Sequence, residues 1–165
     1  MKFLIYSTSI VALLLVDRLT KFFVLNLSQP IEFGNWQIVL HRNYGAVFSL
    51  NFSPVVIFIL TTVVLFFIIR LIYKNFALSF PRRRESIIVN QPKSILDSHF
   101  RGNDKIINWY KVSILFFILL AGLSNFWDRI FFTSVIDIIT APNGLTFNLA
   151  DIYLVTGALL YIKNR

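Results

Sequence analysis

Cysteine is missing from this chain altogether, so no disulfide holds the fold, and cysteine nucleophiles, thiolate metal sites and dithiol redox chemistry are excluded. Histidine occurs only as His41 and His99 and no HExxH is present, which argues against a zinc hydrolase; no metal and no cofactor is expected. Charge is scarce as well. Charged residues make up 15% of the chain against 56% hydrophobic, and 18 of the 165 residues are Phe, a balance that belongs to a membrane protein. Acids are the scarcer sign, 8 Asp and Glu against 16 Lys and Arg. An excess of that kind also marks nucleic-acid binders, but most of these basic residues lie in gaps between apolar runs, where they orient helices in a bilayer. No nucleic-acid partner is expected.

Four apolar runs are present. The first, about 3–25, begins like a secretory signal peptide, yet no small-x-small cleavage site follows and apolar sequence resumes after Asp17-Arg18-Leu19-Thr20-Lys21. It reads as a transmembrane helix. Asp17, Thr20, Lys21 and Val24 recur at i, i+3, i+4 and i+7, so one side of its end is polar and should face protein rather than lipid. Residues 26–53 change character. Gln29-Pro30, Gly34-Asn35 and Asn43-Tyr44-Gly45 are turn chemistry and 36–40 has strand propensity, which predicts a small platform at the bilayer surface with Trp36 and Tyr44 at the headgroups. Residues 54–73 form the second span, with Pro54 at the helix start. Residues 75–108 are polar, basic and poorly periodic, with Arg82-Arg83-Arg84 inside them, and predict a flexible loop with at most one short helix; the basic run is read as a topology signal ahead of a site for nucleic acid or anionic lipid, and His99 there as solvated. The third span is 109–127, ending in the small residues Ala121, Gly122 and Ser124, and the fourth is about 148–162.

With both termini and the 70–111 region in the cytoplasm, 12 of the 16 basic residues lie inside, leaving Arg18, Lys21, Arg42 and Arg129 outside. The positive-inside rule therefore predicts a single mainly α, integral membrane domain of four helices. Its outer face gathers the end of helix 1, the 26–53 platform, Asp128 and Arg129 at the end of helix 3, and Asp151 at the start of helix 4.

That face holds three aspartates within 24 residues, Asp128, Asp137 and Asp151, and a carboxylate beside a membrane-length apolar segment is costly. Serine hydrolysis would need Ser49, Ser53 or Ser134 with His41 as base, and no motif supports it. Paired carboxylates remain. Two aspartates about one water apart share a proton, so that one activates water while the other polarises a carbonyl. Asp128, followed by Arg129, can pair with Lys21, Arg18 or Arg129 as structural support. Asp137 lies in an apolar segment without a basic neighbour, and Asp151 in the first turn of helix 4, where the helix dipole favours its charge. Asp137 and Asp151 are the expected pair, with Asp128 in reserve. A bland alternative stands beside each, Asp137 as an interfacial loop acid and Asp151 as a helix N-terminal acid.

The chain resembles the bacterial lipoprotein signal peptidases (signal peptidase II). The resemblance covers nearly all of it and rests on five motifs in order: Asp17-Arg18-Leu19-Thr20-Lys21, Asn43-Tyr44-Gly45-Ala46-Val47-Phe48, Asn125-Phe126-Trp127-Asp128-Arg129, Val135-Ile136-Asp137-Ile138 and Phe147-Asn148-Leu149-Ala150-Asp151. It implies a multi-pass aspartyl endopeptidase of the inner membrane with four transmembrane helices and an extracytoplasmic β-cradle. Such an enzyme removes the signal peptide of a prolipoprotein just before a diacylglyceryl-modified cysteine, and sensitivity to globomycin is implied too. Asp137 and Asp151 match the catalytic pair. Asp17, Lys21, Asn43, Asn125, Arg129 and Asn148 match the polar residues around it, with Asp128 beside them as support. The expected partners are the lipid-modified substrate and membrane lipid, and a monomer is expected.

Three features depart from the pattern. Leu120-Ala121-Gly122-Leu123-Ser124 has less glycine than the family, the link from Asp137 to Asp151 is a few residues shorter, and the loop from about 80 to 105 reads as an insert. Lying on the side away from the aspartates, that insert is expected to be dispensable for activity. The main alternative is a small ion-coupled transporter using Asp17, Lys21 and Asp128 as a proton relay; a structural subunit held by Asn and Asp is a third reading.

Overall fold

A computed structural model describes residues 2–45, 53–77 and 109–164. The 80–105 insert with His99, the Ala46-Val47-Phe48 end of the second motif and Ser49 lie outside the described residues. The described chain runs α1 (Lys2–Leu25), β1 (Ile31–Phe33), β2 (Trp36–Asn43), α2 (Pro54–Ala77), α3 (Trp109–Phe132), β3 (Val135–Thr140), β4 (Thr146–Phe147) and α4 (Leu149–Lys163). It is mainly helical, with one small antiparallel sheet.

Composition decides α2. Within this helix only Ile57 and Leu65 are buried, while Val55, Phe58, Ile59, Leu60, Val64, Phe66 and Phe67 are among those that stay exposed. A surface so uniformly apolar requires lipid, because water would leave it unsolvated. Thr61 and Thr62 return their hydroxyls to the Ile57 and Phe58 carbonyls at 2.8 Å, so neither presents an unsatisfied group to that lipid. Among the described residues, Pro54–Phe76 and Trp109–Phe132 are long and apolar enough to cross a membrane.

The centre belongs to α3, on which α1, α2 and α4 all pack. Its buried Ala121, Ser124, Asn125 and Asp128 follow at i, i+3, i+4 and i+7, one continuous stripe down the helix. The expected span ends at Trp127, but the helix runs on to Phe132 and so contains Asp128 and Arg129. It continues because Asp128 finds cations within the protein and needs no loop to carry it to solvent. α4 comes closest at Gly157, where an added Cβ would stand 2.5 Å from Ile118 Cγ1.

The sheet has the order β1-β2-β3-β4, each strand antiparallel to the next. Gly34-Asn35 closes the first hairpin with Gly34 at φ 59°, the left-handed conformation that a two-residue turn demands. β2 extends past the expected 36–40 to Asn43, so His41 and Asn43 are strand residues, and His41 pairs directly with Asp137. The expected apolar segment 135–138 is strand β3, drawn out because β2 supplies its ladder on one side and β4 on the other. Val24 of α1 packs with Ile136 and Ile138, and Leu25, Ile38, Leu40 and Leu149 close around them. This apolar knot fixes the polar end of α1 beneath the sheet.

Candidate active site

Asp17, Lys21 and Val24 lie on the buried side of α1, with Asp17 fully buried and Lys21 nearly so. Thr20 is off that stripe and spends its hydroxyl on the carbonyls of Val16 and Asp17. A buried charge needs partners, and each one here has several. Lys21 Nζ donates to Asp128 Oδ2 at 2.8 Å and to Asn125 Oδ1 at 2.9 Å, and stands 3.2 Å from Asp17 Oδ2. Arg18 completes the cluster 2.8 Å from Asp128 Oδ1. Two carboxylates and two cations thus neutralise one another where α1 meets α3. Asp17 also accepts the Ser124 hydroxyl of α3 and, at 3.0 Å, the Ala150 backbone N–H of α4.

That last bond matters to α4. At about 1.5 Å per residue its 15 residues span only about 22 Å, short of a bilayer's hydrocarbon core of about 30 Å. Two N–H groups of its first turn end on protein side chains. Asp17 takes that of Ala150, and the Asn148 side chain takes that of Asp151 at 3.0 Å. Asp151 returns the favour by accepting the Asn148 backbone N–H at 3.2 Å, closing a capping box.

Asn148 does more than cap. With its Oδ1 committed to the helix, its Nδ2 points away and donates to Asp137 Oδ1 at 2.9 Å. One residue thereby touches both carboxyls, Asp137 through its side chain and Asp151 through its backbone N–H. Two other asparagines are held in the same way. Asn125 gives its Oδ1 to Lys21 and its Nδ2 to Asp151 Oδ1 at 2.8 Å; Asn43 gives its Oδ1 to the Gly45 N–H and its Nδ2 to Asp137 Oδ2 at 3.1 Å. In each case the oxygen is occupied, so the nitrogen must face a carboxylate. Thr146 of β4 adds a hydroxyl to Asp137 Oδ2 at 3.3 Å.

Asp137 and Asp151 lie within electrostatic reach of each other, and Arg129 lies within reach of both and of Asp128. Burial pushes the Asp137 carboxyl above the usual carboxylate range, although Asn43, Asn148, His41 and Thr146 all pull the other way. Arg129 donates to the Gly45 carbonyl at 3.4 Å and lines a cleft of about 240 Å³ with Tyr44, Thr133 and the first turn of α2, Pro54, Val55, Ile57 and Phe58. An acid whose pKa burial raises, a second acid within its electrostatic reach, and a largely apolar cleft with one guanidinium suit hydrolysis of a neutral amide.

The structure gathers Asp17, Lys21, Asn43, Asn125, Asp128, Arg129, Asp137, Asn148 and Asp151 into one network at one end of the helices. Asp128 stands in the ion-pair cluster, separated from Asp151 by Lys21 and the Asn125 amide. The serine alternative finds nothing in the described residues that favours it, since Ser134 Oγ donates to the Phe132 carbonyl at 3.2 Å. Three members escaped the sequence reading: Thr146, the Ser124 hydroxyl, expected only as a small packing residue, and the Ala150 N–H.

A family model described as Signal peptidase (SPase) II matches residues 9–89 and 97–164. Two solved structures of a bacterial membrane enzyme, obtained by the in meso method at 2.3 and 1.9 Å resolution, are similar in fold. Both are 20% identical over 96% of this chain; the match covers 85% of the first with a TM-score of 0.66 and 90% of the second with 0.64. Among curated proteins none matches.

Proposed function

The chain belongs to the signal peptidase II family, membrane-embedded aspartic peptidases that cleave lipoprotein signal peptides, and from that premise we propose that Asp137 and Asp151 are its catalytic pair. The observation that carries the assignment is Asn148, which binds Asp137 through its amide nitrogen and Asp151 through its amide oxygen and backbone N–H. Among the described residues no such bridge ties Asp128 to either acid; its oxygens face Lys21, Arg18 and the Ile136 N–H.

Two carboxyls so held do not both ionise near neutral pH, and the pair keeps one proton. The ionised member takes a proton from water as its oxygen attacks the scissile carbonyl carbon. The protonated member gives its proton to the carbonyl oxygen. In the tetrahedral diol that results, the C–N bond breaks, the nitrogen leaves with the proton that the base collected, and the carboxyl product re-forms its C=O as a hydroxyl proton returns to the pair. Lys21 and Asn125 hold Asp151 for this step, and Asn43 and Asn148 hold Asp137.

The substrate in this reading is a prolipoprotein cut just before a diacylglyceryl-modified cysteine. The cleft beside Arg129, walled on one side by Pro54, Val55, Ile57 and Phe58, supports that choice by offering room for an acyl-bearing residue. The same reading puts four helices through the inner membrane, both termini in the cytoplasm and the aspartates at the outer face, as a single domain working as a monomer with the 80–105 loop as a cytoplasmic insert. It leaves no place for the transporter alternative, whose Asp17, Lys21 and Asp128 are committed to one another. The test is reconstitution of the purified protein with a prolipoprotein carrying the lipid and, separately, with the same prolipoprotein lacking it. Cleavage only of the lipidated form, with a product beginning at the modified cysteine, is expected; equal cleavage of both would overturn the substrate assignment.

A further inference from the structure

Every amide that touches the two acids is an obligate donor. The Nδ2 groups of Asn43, Asn125 and Asn148 are fixed by what their own oxygens accept, and the remaining contact on Asp151 is the Asn148 backbone N–H. Obligate donors suit a carboxylate. They offer no partner to the O–H of a carboxylic acid, which needs an acceptor. Among the described residues bonded to either acid, one group is different. Thr146 on β4, one residue ahead of the Phe147 motif, carries a hydroxyl 3.3 Å from Asp137 Oδ2, and a hydroxyl both donates and accepts. Among the described residues Asp151 has no counterpart.

We propose that Thr146 is a positioning residue for the peptidase reaction: by turning its hydroxyl from donor to acceptor it serves Asp137 in both protonation states and makes Asp137 the proton-carrying member of the pair. This deepens the catalytic assignment above and rests on it. With the proton on Asp137 Oδ2, the O–H points to Thr146 Oγ while Asn43 still donates to the same oxygen. When that proton passes to the substrate carbonyl, the Thr146 hydroxyl rotates and donates to the carboxylate left behind. Asp151, among donors only, stays the base that takes the proton from water. The other titratable groups facing Asp137 are His41 on β2, Asp151 on α4 and Arg129 on α3, and none of their side chains hydrogen-bonds its carboxyl among the described residues.

Removing the hydroxyl takes from the protonated acid the one acceptor hydrogen-bonded to it among the described residues, but from the carboxylate only one donor in three, so the protonated form loses more. The experiment compares wild type, Thr146→Val, Thr146→Ser and Asp137→Asn in the reconstituted cleavage assay across pH, with thermal unfolding as the control for folding. Thr146→Val is expected to lower kcat by about one order of magnitude with KM little changed. The alkaline limb of its rate profile should move to lower pH. Thr146→Ser, which keeps the hydroxyl, should restore both. Should the Val variant fail to fold, Thr146→Ala is read in its place. If wild type cleaves and the hydroxyl-free variant matches it, or its alkaline limb moves to higher pH, Thr146 is not the acceptor and the proposal falls alone. If Ser is impaired and Val active, the methyl group matters and the proposal falls as well. If Asp137→Asn cleaves like wild type, the catalytic assignment falls and takes the proposal with it.

Discussion

Asn125 donates its Nδ2 to Asp151 Oδ1 at 2.8 Å, and Lys21, holding the Asn125 Oδ1 at 2.9 Å, dictates that orientation. The ion-pair cluster of α1 and α3 thus reaches the proposed catalytic pair through a single amide. Support and chemistry are one connected structure here, and the consequences can be measured separately.

Asn125→Asp replaces the donor facing Asp151 with a second carboxylate while keeping an acceptor for Lys21. Misplacing Asp151 in this way should lower the cleavage rate by about a hundredfold. Asn125→Ala, which removes the donor without adding repulsion, should lose less. Single-turnover cleavage of a lipidated prolipoprotein compares the two, and an aspartate variant as active as wild type would show that Asp151 does not depend on this amide.

Lys21→Met leaves Asp17 and Asp128 buried with Arg18 as their remaining cation. Breaking a buried charge cluster from one side should cost about 3–5 kcal/mol. Adding Asp128→Asn removes one of the stranded charges and should return part of that loss. Unfolding of the purified variants in detergent reads both effects, and a Met variant as stable as wild type would mean that the cluster contributes little to the fold.

Asp137→Asn separates stability from activity. Burial raises the folded-state pKa of Asp137, so the native protein holds this proton into a pH range where the unfolded chain has released it. Wild-type stability from this group therefore falls as pH climbs from the ordinary carboxylate range through the raised pKa. Asparagine does not titrate. The stability difference between variant and wild type should shift in favour of the variant over that window and level off above it. Unfolding midpoints taken across pH check the slope, and a difference that runs the other way would contradict the stated effect of burial.

Much of this fold was legible in the sequence where one physical signal acted alone. Uniform apolarity marked α2, Gly34-Asn35 marked its turn, and the i, i+4, i+7 spacing of Asp17, Lys21 and Val24 marked the buried side of α1. Strands β3 and β4 were less legible, because a short apolar run such as 135–138 suits a strand or a loop until a partner strand is known. Asn43 read as turn chemistry and is the last residue of β2, since the ladder with Val135 outweighs its local preference. The Asp17 bond to the Ala150 N–H could not be read at all. A backbone donor has no letter in the sequence, and its partner lies 133 residues away. Thr146 carries the same lesson in a side chain: nothing in its spacing points to Asp137, and only folding sets its hydroxyl against that carboxyl.

The central claim is that Asp137 and Asp151, joined through Asn148, perform the cleavage. The most direct measurement is cleavage of a lipidated prolipoprotein by the reconstituted wild type, Asp137→Asn and Asp151→Asn, each shown to be folded. Each substitution should reduce the rate by at least about a thousandfold while wild type cleaves, and cleavage at the wild-type rate by either variant would contradict the assignment.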